Sequence, residues 1–512
     1  MFLGFNHMQK YYLTTAIDYI NATPHVGHAL EKIGADVLAR WKRMNGCEVH
    51  FLTGTDEHSL NIQRQAEKQG VTPHEFCNSM VENWKQTWTQ LGISYDQFIR
   101  TTDPQHERAV AVLFQKLYDA GHLYLNDYEG LYCPSCENFY TEKDAPDFQC
   151  PTHKRALEVV KEKNYYFRLT AFESQLRQLI TSGEFAIEPV PRRNEILGLL
   201  DEGLRDVTFT RASVKWGVSC PIAKEQTIWI WFDALVNYIS AIGFPNDPAR
   251  FEKLWPADVH IIGKDITRFH CVIWPAMLLG AGLPLPKKVF AHGFITVNGE
   301  KLSKTVGNVI DPNEAIAKHG VDALRYFLLR EVPFDGDGDF SWTKFEQRYN
   351  SELANDLGNF VNRAVSMIHR YREGKVPQPT ADSPLTSEIR TLTEETRKIF
   401  ASKMDAILFH EALATLWKFV QFCNAYVESN APWALAKKPE QSADLSTVLY
   451  NLAEAARVIA VMLEPFMPQS SAKIFSQLGL PENRDGFGGA AWGKLAPGTL
   501  LAKPTPLFPK AV

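Results

Sequence analysis

YYLTTAI at Tyr11–Ile17, TPHVGH at Thr23–His28, ALEKIGADVLARWKRM at Ala29–Met44 and EVHFLTGTD at Glu48–Asp56 follow one another as strand, turn, helix and strand. Aromatic and β-branched residues favour extended chain in the first and last segments. Thr23-Pro24 reads as a helix N-cap with a first-turn proline, and the long segment carries apolar residues at helical spacing and closes at Gly46. Together they make a parallel βαβ unit, whose ligand crevice lies at the carboxyl ends of its strands. HVGH and Asp56 fall at those ends. His25 and His28 place two imidazoles on one face of a helix's first turn, beside the positive end of its dipole, and Gly27 lets a nucleotide lie against bare backbone. Such rings can donate to phosphate oxygens and stabilise charge developing at an α-phosphate. By themselves the four letters also suit two surface histidines at a turn.

Outward from this unit, Thr72-Pro73 with Glu75, and Asp103-Pro104, open two further helices. From Leu123 to Gln226 the pattern breaks into short strands, turns and clustered cysteines, which reads as an insertion. IWIWFDALVNYISAI (Ile228–Ile242) begins as strand and becomes helix, DVHIIG (Asp258–Gly263) is a buried strand, and Asp265 caps a helix running through Leu279. VFAHGFITVNGEKL (Val289–Leu302) reads as a hairpin turning at Asn298-Gly299, which puts KLSKT (Lys301–Thr305) directly after a strand. Beyond Phe340, amphipathic helical patterns run to about Leu478 as a helical bundle.

At 512 residues the chain has room for three or four domains. With 54 basic against 59 acidic residues there is no general basic excess, so any RNA surface must be local. No apolar run reaches the ~18 residues of a membrane span, and MFLGFNHMQK is too short and polar for a secretory signal, with Met8 as an alternative start. A cytoplasmic location is expected. Of eight cysteines, Cys47, Cys77, Cys220, Cys271 and Cys423 are scattered and receive no role. Cys133-Pro-Ser-Cys136 and Cys150-Pro-Thr-His153 have the spacing of two knuckles that bring four ligands to one tetrahedral Zn²⁺. Protein would fill all four positions, which makes the zinc structural; free thiols or a disulfide are the alternative.

KLSKT alone is a lysine-rich loop of a common solvated kind. Paired with HVGH it gains a task, because a cation moving over departing pyrophosphate stabilises the transition state more than the ground state. Lys304 is the first candidate and Lys301 the second, with Mg²⁺ accompanying ATP.

These strings resemble the class I aminoacyl-tRNA synthetases, most closely the bacterial methionyl-tRNA synthetase family, along essentially the whole chain. The resemblance implies an α/β fold, a Rossmann-like parallel-sheet catalytic domain (1–122 and 227–295) split by a zinc-containing connective insertion (123–226). A stem-contact region with the KLSKT loop (296–350) and an α-helical anticodon-binding bundle (351–512) would follow. It implies activation of L-methionine with ATP to methionyl-adenylate, then transfer to the 2′-hydroxyl at the 3′ end of tRNA(Met), initiator and elongator. AIDY matches the family's methionine segment and implicates Ile17 and Tyr19, while TGTDEH contributes Asp56 as partner of the substrate's α-ammonium group. WFDALVNY supplies Trp231, Ala234, Leu235 and Tyr238, which helical spacing sets on one face. GKDITRFH brings Gly263 and Asp265 toward the adenosine, with Ile266 and His270 closing on the side chain. Aromatic walls with a Tyr or His donor suit a thioether. In the tail, GNFVNR matches at Asn359 and Arg363 and NAPWALAK at Trp433. There an indole would stack on an unpaired anticodon base while amide and guanidinium read its edges.

Leu302 and Thr305 stand where the family commonly has methionine and serine, and Ser59 where a glycine usually follows TGTDEH, which leaves the backbone after Asp56 open. An additional carboxyl-terminal tRNA-binding domain, present in some relatives, is missing from the pattern, so a monomer is expected, with neither membrane nor DNA as partner. Three other readings fit less of the chain. Leucine and valine enzymes of this class carry a larger editing insertion, and a cysteine enzyme would favour metal ligands in the pocket itself. An RNA-binding paralogue would not need His25, His28, Lys301, Lys304 and Asp56, and a tRNA-independent nucleotidyltransferase leaves the helical tail unexplained.

Overall fold

The computed structural model describes residues 8–134, 138–140, 145, 147–151, 154–302, 309–380, 383–483 and 485–509. Its frame is the expected parallel unit: β1 (Lys10–Thr15), β2 (Asp18–Tyr19), α1 (Val26–Met44) and β3 (Glu48–Asp56). On the far side of β3 lies β4 (Gln97–Arg100). Beyond β1 come the strands Val259–Gly263, Lys288–His292 and Ala186–Glu188, and every pairing is parallel. Asp56, Gly263 and His292 end their strands at one edge of this sheet, the edge at which such folds bind ligands.

β1 and β2 run along the same side of β3, but the register slips between them. Thr14 faces Leu52 and Asp18 faces Thr55, so one extra residue is accommodated within Thr15–Ile17. Such a bulge redirects side chains and recurs beside active sites. It falls on the AIDY segment.

α1 buries Val26, Ala29, Leu30, Ile33, Val37, Leu38 and Trp41 against the sheet and the later helices. A Cβ on Gly34 would lie 2.3 Å from the Phe334 ring. Glycine inside a helix costs about 1 kcal/mol, and here it lets a residue from beyond the sheet seat directly on α1. The fully buried Arg325, on the helix Val321–Glu331, donates to Asp36 on α1, to the carbonyl of Leu91 and to the carbonyls of Pro465 and Phe466. One guanidinium thus ties the catalytic sheet's helix to the helical tail.

Four departures from the sequence reading concern the course of the chain. The stretch read wholly as an insertion does contain a long antiparallel pair, β5 (Leu123–Cys133) with Glu158–Phe167, but Ala186–Glu188 returns to the main sheet. Three residues are too few to carry a periodicity. A helix that was not expected, α2 (Leu60–Gln69), follows Ser59, whose φ of −167° is ordinary extended chain and whose hydroxyl accepts from Ile62 N. Serine therefore serves there as an N-cap, and the question left by the absent glycine is closed. Asp265 does not cap a long helix: it lies within a short 3₁₀ turn, Lys264–Ile266, after which the chain passes through a π segment (Phe269–Ile273) into Trp274–Gly280. The wide turn comes just before Pro275, whose ring cannot be accommodated by regular hydrogen bonding. Finally, Pro439–Leu463 reaches the length and mean hydropathy of a membrane span, yet 94% of its apolar window is buried inside the bundle. Within it Arg457 pairs with Glu454, which also accepts from the backbone of Gly493, Lys494 and Leu495.

Asn298 and Gly299 have φ of 53° and 78°, as a type I′ turn requires, between the strands Ile295–Val297 and Glu300–Lys301. The helical tail follows as expected, with Asn359–Arg372, Pro384–Asp405, Phe409–Asn430 and Ser442–Leu463 as its main helices.

Candidate active site

HVGH forms the start of α1, but Thr23-Pro24 is not its cap. His25 is: its Nδ1 accepts from Gly27 N at 3.1 Å, while His28 Nδ1 accepts from His25 N at 3.1 Å. The two rings stack with centroids 3.7 Å apart and planes 22° from parallel. Because each Nδ1 accepts from a backbone N–H, each neutral ring carries its proton on Nε2. The caps that satisfy the helix end therefore also select the tautomer that donates. A Cβ on Gly27 would stand 2.9 Å from His25 Cε1, so glycine is needed for the ring to cap.

The start of the lysine loop and the chain just beyond it both reach this turn. The same Cβ on Gly27 would lie 3.4 Å from Leu302 Cδ1, and Val26 N donates to Ile310 O at 3.1 Å. Lys301 pairs through its backbone with Thr296 on the hairpin; Lys304 and Thr305 lie outside the described residues.

The expected amino-acid residues gather in one apolar cluster. Leu235 and Tyr238 are buried in it, and Ile17, Tyr19, Trp231 and Ile266 pack half-buried against it. Trp231 stacks on Phe269 at 3.7 Å with planes 2° apart. Ala234, on the same helix Ile230–Ser240, is buried. His270 Nδ1 lies 3.0 Å from Ile266 O and must be the donor there, so its Nε2, 2.7 Å from the Tyr238 hydroxyl, accepts. Burial pulls the His270 imidazole down to about 4, which keeps it neutral. The sequence reading expects a Tyr or His proton at the substrate's sulfur; the geometry directs both of these protons at protein acceptors. Asp56, at the end of β3, is buried opposite Tyr19 in register. Gly263 ends its strand, and a Cβ there would lie 2.7 Å from Asp265 Oδ1.

Sequence reasoning missed an ionic cluster behind HVGH. Lys32, fully buried, donates to Ala16 O at 2.9 Å and Glu31 at 2.6 Å, and lies 3.0 Å from Asp18. Glu31 also meets His292 at 3.1 Å. Burial raises both carboxyls; Lys32 and His292 hold Glu31 below its ordinary value, whereas Asp18, the more distant partner, climbs to about 7. Native Asp18 thus keeps its proton up to about pH 7, while in the unfolded chain it loses it near pH 4. Between those values the unfolded state binds fewer protons, and stability falls as pH rises. Asp18→Asn is expected to flatten that decline in urea unfolding at pH 5 and pH 7.5; an unchanged slope would put the proton elsewhere. Also missed was Arg211, 3% exposed, paired with Glu162 at 3.2 Å and lying 4.0 Å over the Tyr132 ring. Nothing in a single sequence distinguishes these charges from surface ones, since their burial is set by packing and partners such as His292 and Glu162 are far along the chain.

Cys133, at the end of β5, and Cys150 are buried in one small cluster with Leu131, Ala145 and Leu157. Cys136 and His153 lie outside the described residues, and among the described residues no group of three or more His, Cys, Asp or Glu could hold an ion. The two thiols that are described fit a shared soft-ligand site. Pro134, between the first two cysteines, accepts from Asn61 Nδ2 on α2 at 2.8 Å, which seats this tip beside Asp56–His58.

In the tail, Asn359 and Arg363 share the helix Asn359–Arg372, and the Arg363 guanidinium lies 5.7 Å over the Trp433 ring. Trp433 is 40% exposed, which favours a stacking surface over core packing. Asn359 lines an open groove of about 510 Å³ with Asn355, Asn362 and Phe508.

The model of the class I tRNA synthetases (M) matches residues 11–158 and 147–365, and that of the anticodon binding domain of methionyl tRNA ligase matches 376–512. The chain belongs to the class I methionyl-tRNA synthetase family. The methionine–tRNA ligase of Caldanaerobacter subterraneus is 44% identical over 98% of this chain and 79% of its own length, and that of Brucella melitensis 42% over 98% of both. A Mycobacterium tuberculosis methionyl-tRNA synthetase in complex with methionyl-adenylate superposes with a TM-score of 0.94 at 39% identity, covering 98% of this chain and 100% of that one. Its apo form superposes with a TM-score of 0.88 at 36% identity. Family membership fixes the class of the protein, an ATP-dependent aminoacyl-tRNA ligase with a Rossmann-like catalytic domain and a helical anticodon-binding domain.

Proposed function

We propose that this chain activates L-methionine with ATP and transfers the methionyl group to the 3′ end of tRNA(Met), initiator and elongator. The observation that carries the reading is the meeting of the two signature strings: Leu302, within KLSKT, and Ile310, five residues beyond it, both lie against the HVGH turn. In the first step a carboxylate oxygen of methionine attacks the α-phosphorus of ATP, the bond to the β-bridging oxygen breaks, and pyrophosphate leaves. Asp56 pairs with the ammonium group, while Trp231, Leu235 and Tyr238 wall the side chain, with Ala234, Ile17, Tyr19, Ile266 and His270 completing the pocket. Gly27, Gly263 and Asp265 take the nucleotide. The Nε2–H groups of His25 and His28 meet charge developing on the α-phosphate, and Lys304 with Lys301 covers the departing pyrophosphate, with Mg²⁺ accompanying ATP. In the second step the ribose 2′-hydroxyl attacks the acyl carbon and AMP leaves, a step governed by positioning.

Pyrophosphate exchange with each amino acid in turn tests this. Methionine is expected to drive it, and exchange driven by leucine or cysteine instead would overturn the assignment.

Asn359, Arg363 and Trp433 are assigned to the anticodon. Base stacking on an aromatic ring is worth about 1–3 kcal/mol, so Trp433→Ala should raise the KM for tRNA roughly 5- to 150-fold and leave exchange unchanged. Equal loss in both assays would point to a folding defect. Cys133, Cys136, Cys150 and His153 are assigned to one structural Zn²⁺, which when bound would hold the chain at the β5 tip together; metal analysis should return about one zinc per chain. A cytoplasmic monomer completes the reading, to be checked by sedimentation.

A further inference from the structure

The helix Ile230–Ser240 carries the aromatic wall of the amino-acid pocket, and between Trp231 and Ala234 stands a carboxylate that the proposed reaction does not use. Asp233 is 1% exposed, and each of its oxygens accepts from a different buried imidazole. Oδ2 meets His58 Nδ1 at 2.7 Å and Oδ1 meets His106 Nε2 at 2.8 Å. His58 follows Asp56 by two residues. His106 lies in the first turn of the helix Pro104–Asp119, and its Nδ1 is 2.8 Å from Ser240 Oγ at the far end of the pocket helix. The remaining nitrogen of His58 is 3.7 Å from Glu107. Burial alone would raise the Asp233 carboxyl, but the two imidazoles outweigh it and hold it at about 2.

The residue between Asp56 and His58 is pinned as firmly from the other side. Glu57, fully buried, accepts from Arg100 at 2.7 and 2.8 Å and from Thr55 and Thr102 at 2.6 Å each. Its carbonyl accepts from Trp216 Nε1 at 2.7 Å. The end of β3 is thus fixed to β4 by Glu57 and to the pocket helix by His58.

We propose that Asp233 is a positioning residue for the amino-acid substrate, setting the spacing between the Asp56 carboxylate on β3 and the Trp231 wall on the pocket helix. An amino acid offers its ammonium group and its side chain at a nearly fixed separation. A protein that reads both from two different elements must hold those elements in register, and a satisfied buried polar network does so more sharply than apolar packing. ATP is assigned to other groups, Gly27 on α1, Gly263 and Asp265 at and just after the end of their strand and the two lysines, whereas the clamp joins Asp233 to His58 and His106, so ATP binding should be independent of it. The inference rests on the proposed methionine activation and extends it.

The test is steady-state pyrophosphate exchange with KM measured separately for methionine and ATP. Asp233→Asn offers an N–H to one imidazole where an acceptor is required; a displacement of about 1 Å costs up to roughly 100-fold, so the KM for methionine should rise about 10- to 100-fold while that for ATP stays within twofold. His58→Ala should repeat this split. His58→Asn, whose amide nitrogen can stand where Nδ1 donated, should recover most of what His58→Ala loses, and this pair carries the test if Asp233→Asn does not fold. A methionine KM within twofold of wild type in Asp233→Asn and His58→Ala, or an equal rise for ATP, overturns the proposal. If another amino acid drives exchange in the wild type, the functional reading fails instead, and the clamp is then judged on that amino acid's KM.

Discussion

His28→Asn should lower kcat for pyrophosphate exchange by about 10²–10³-fold while leaving the fold intact. The substitution separates two tasks that one imidazole performs. His28 Nδ1 accepts from the backbone N–H of His25 and so completes the cap of α1, and an asparagine Oδ1 can take over that acceptor. The Nε2–H on the other side of the ring has no counterpart in asparagine. If that proton stabilises the charge on the α-phosphate, the loss appears in kcat, because the interaction strengthens only in the transition state. Stability should stay within about 1 kcal/mol of wild type, the scale of a cap substitution. A fall in the thermal midpoint with kcat preserved would mean that the histidine serves the helix and not the reaction. Gly27→Ala makes a useful companion, since its Cβ would displace the His25 ring.

The largest expected stability effect is at Arg325. Its guanidinium, wholly inaccessible, donates to Asp36 at 2.6 Å and to three backbone carbonyls, those of Leu91, Pro465 and Phe466. Asp36 is also buried, and it accepts from Ser94 and Arg40 as well. Burial would raise its carboxyl, but Arg325 and Arg40 hold it below its ordinary value. Arg325→Leu leaves three buried carbonyls without that donor and Asp36 with only Arg40 and Ser94, and breaking a buried pair in this way costs up to about 3–5 kcal/mol. A lower urea midpoint should report it. Asp36→Asn should cost a comparable amount, because the carboxamide keeps an acceptor for Arg325 but removes its counter-charge and turns an N–H toward Ser94 N. A change under about 1 kcal/mol in Arg325→Leu would mean that water or a rearranged neighbour replaces the guanidinium.

The contrast between these residues shows what a single chain reveals. His28 was legible because the helix that carries it is written in local periodicity, and its neighbours Gly27 and His25 lie within one turn. The βαβ unit, the hairpin at Asn298-Gly299 and the helical tail were legible for the same reason: turn chemistry and apolar spacing act over a few residues. Ser59 was legible as a departure, and its role as a cap emerged only with α2. Arg325 looked like any arginine on an amphipathic helix, and Asp233 like a helix carboxylate among pocket residues.

What the sequence by itself determined is therefore the βαβ unit, the Asn298-Gly299 hairpin and the helical tail, the two signature strings, and the family to which they belong. Only the tertiary structure decided that Leu302 and Ile310 meet the HVGH turn, that Tyr238 and His270 turn their protons toward protein acceptors, that Ala186–Glu188 rejoins the main sheet, and that His58 and His106 converge on Asp233. The physical reason is common to all four. Each depends on groups brought together from distant parts of the chain, where burial and hydrogen-bond partners are set by packing, and packing leaves no periodic trace in the residues that make it.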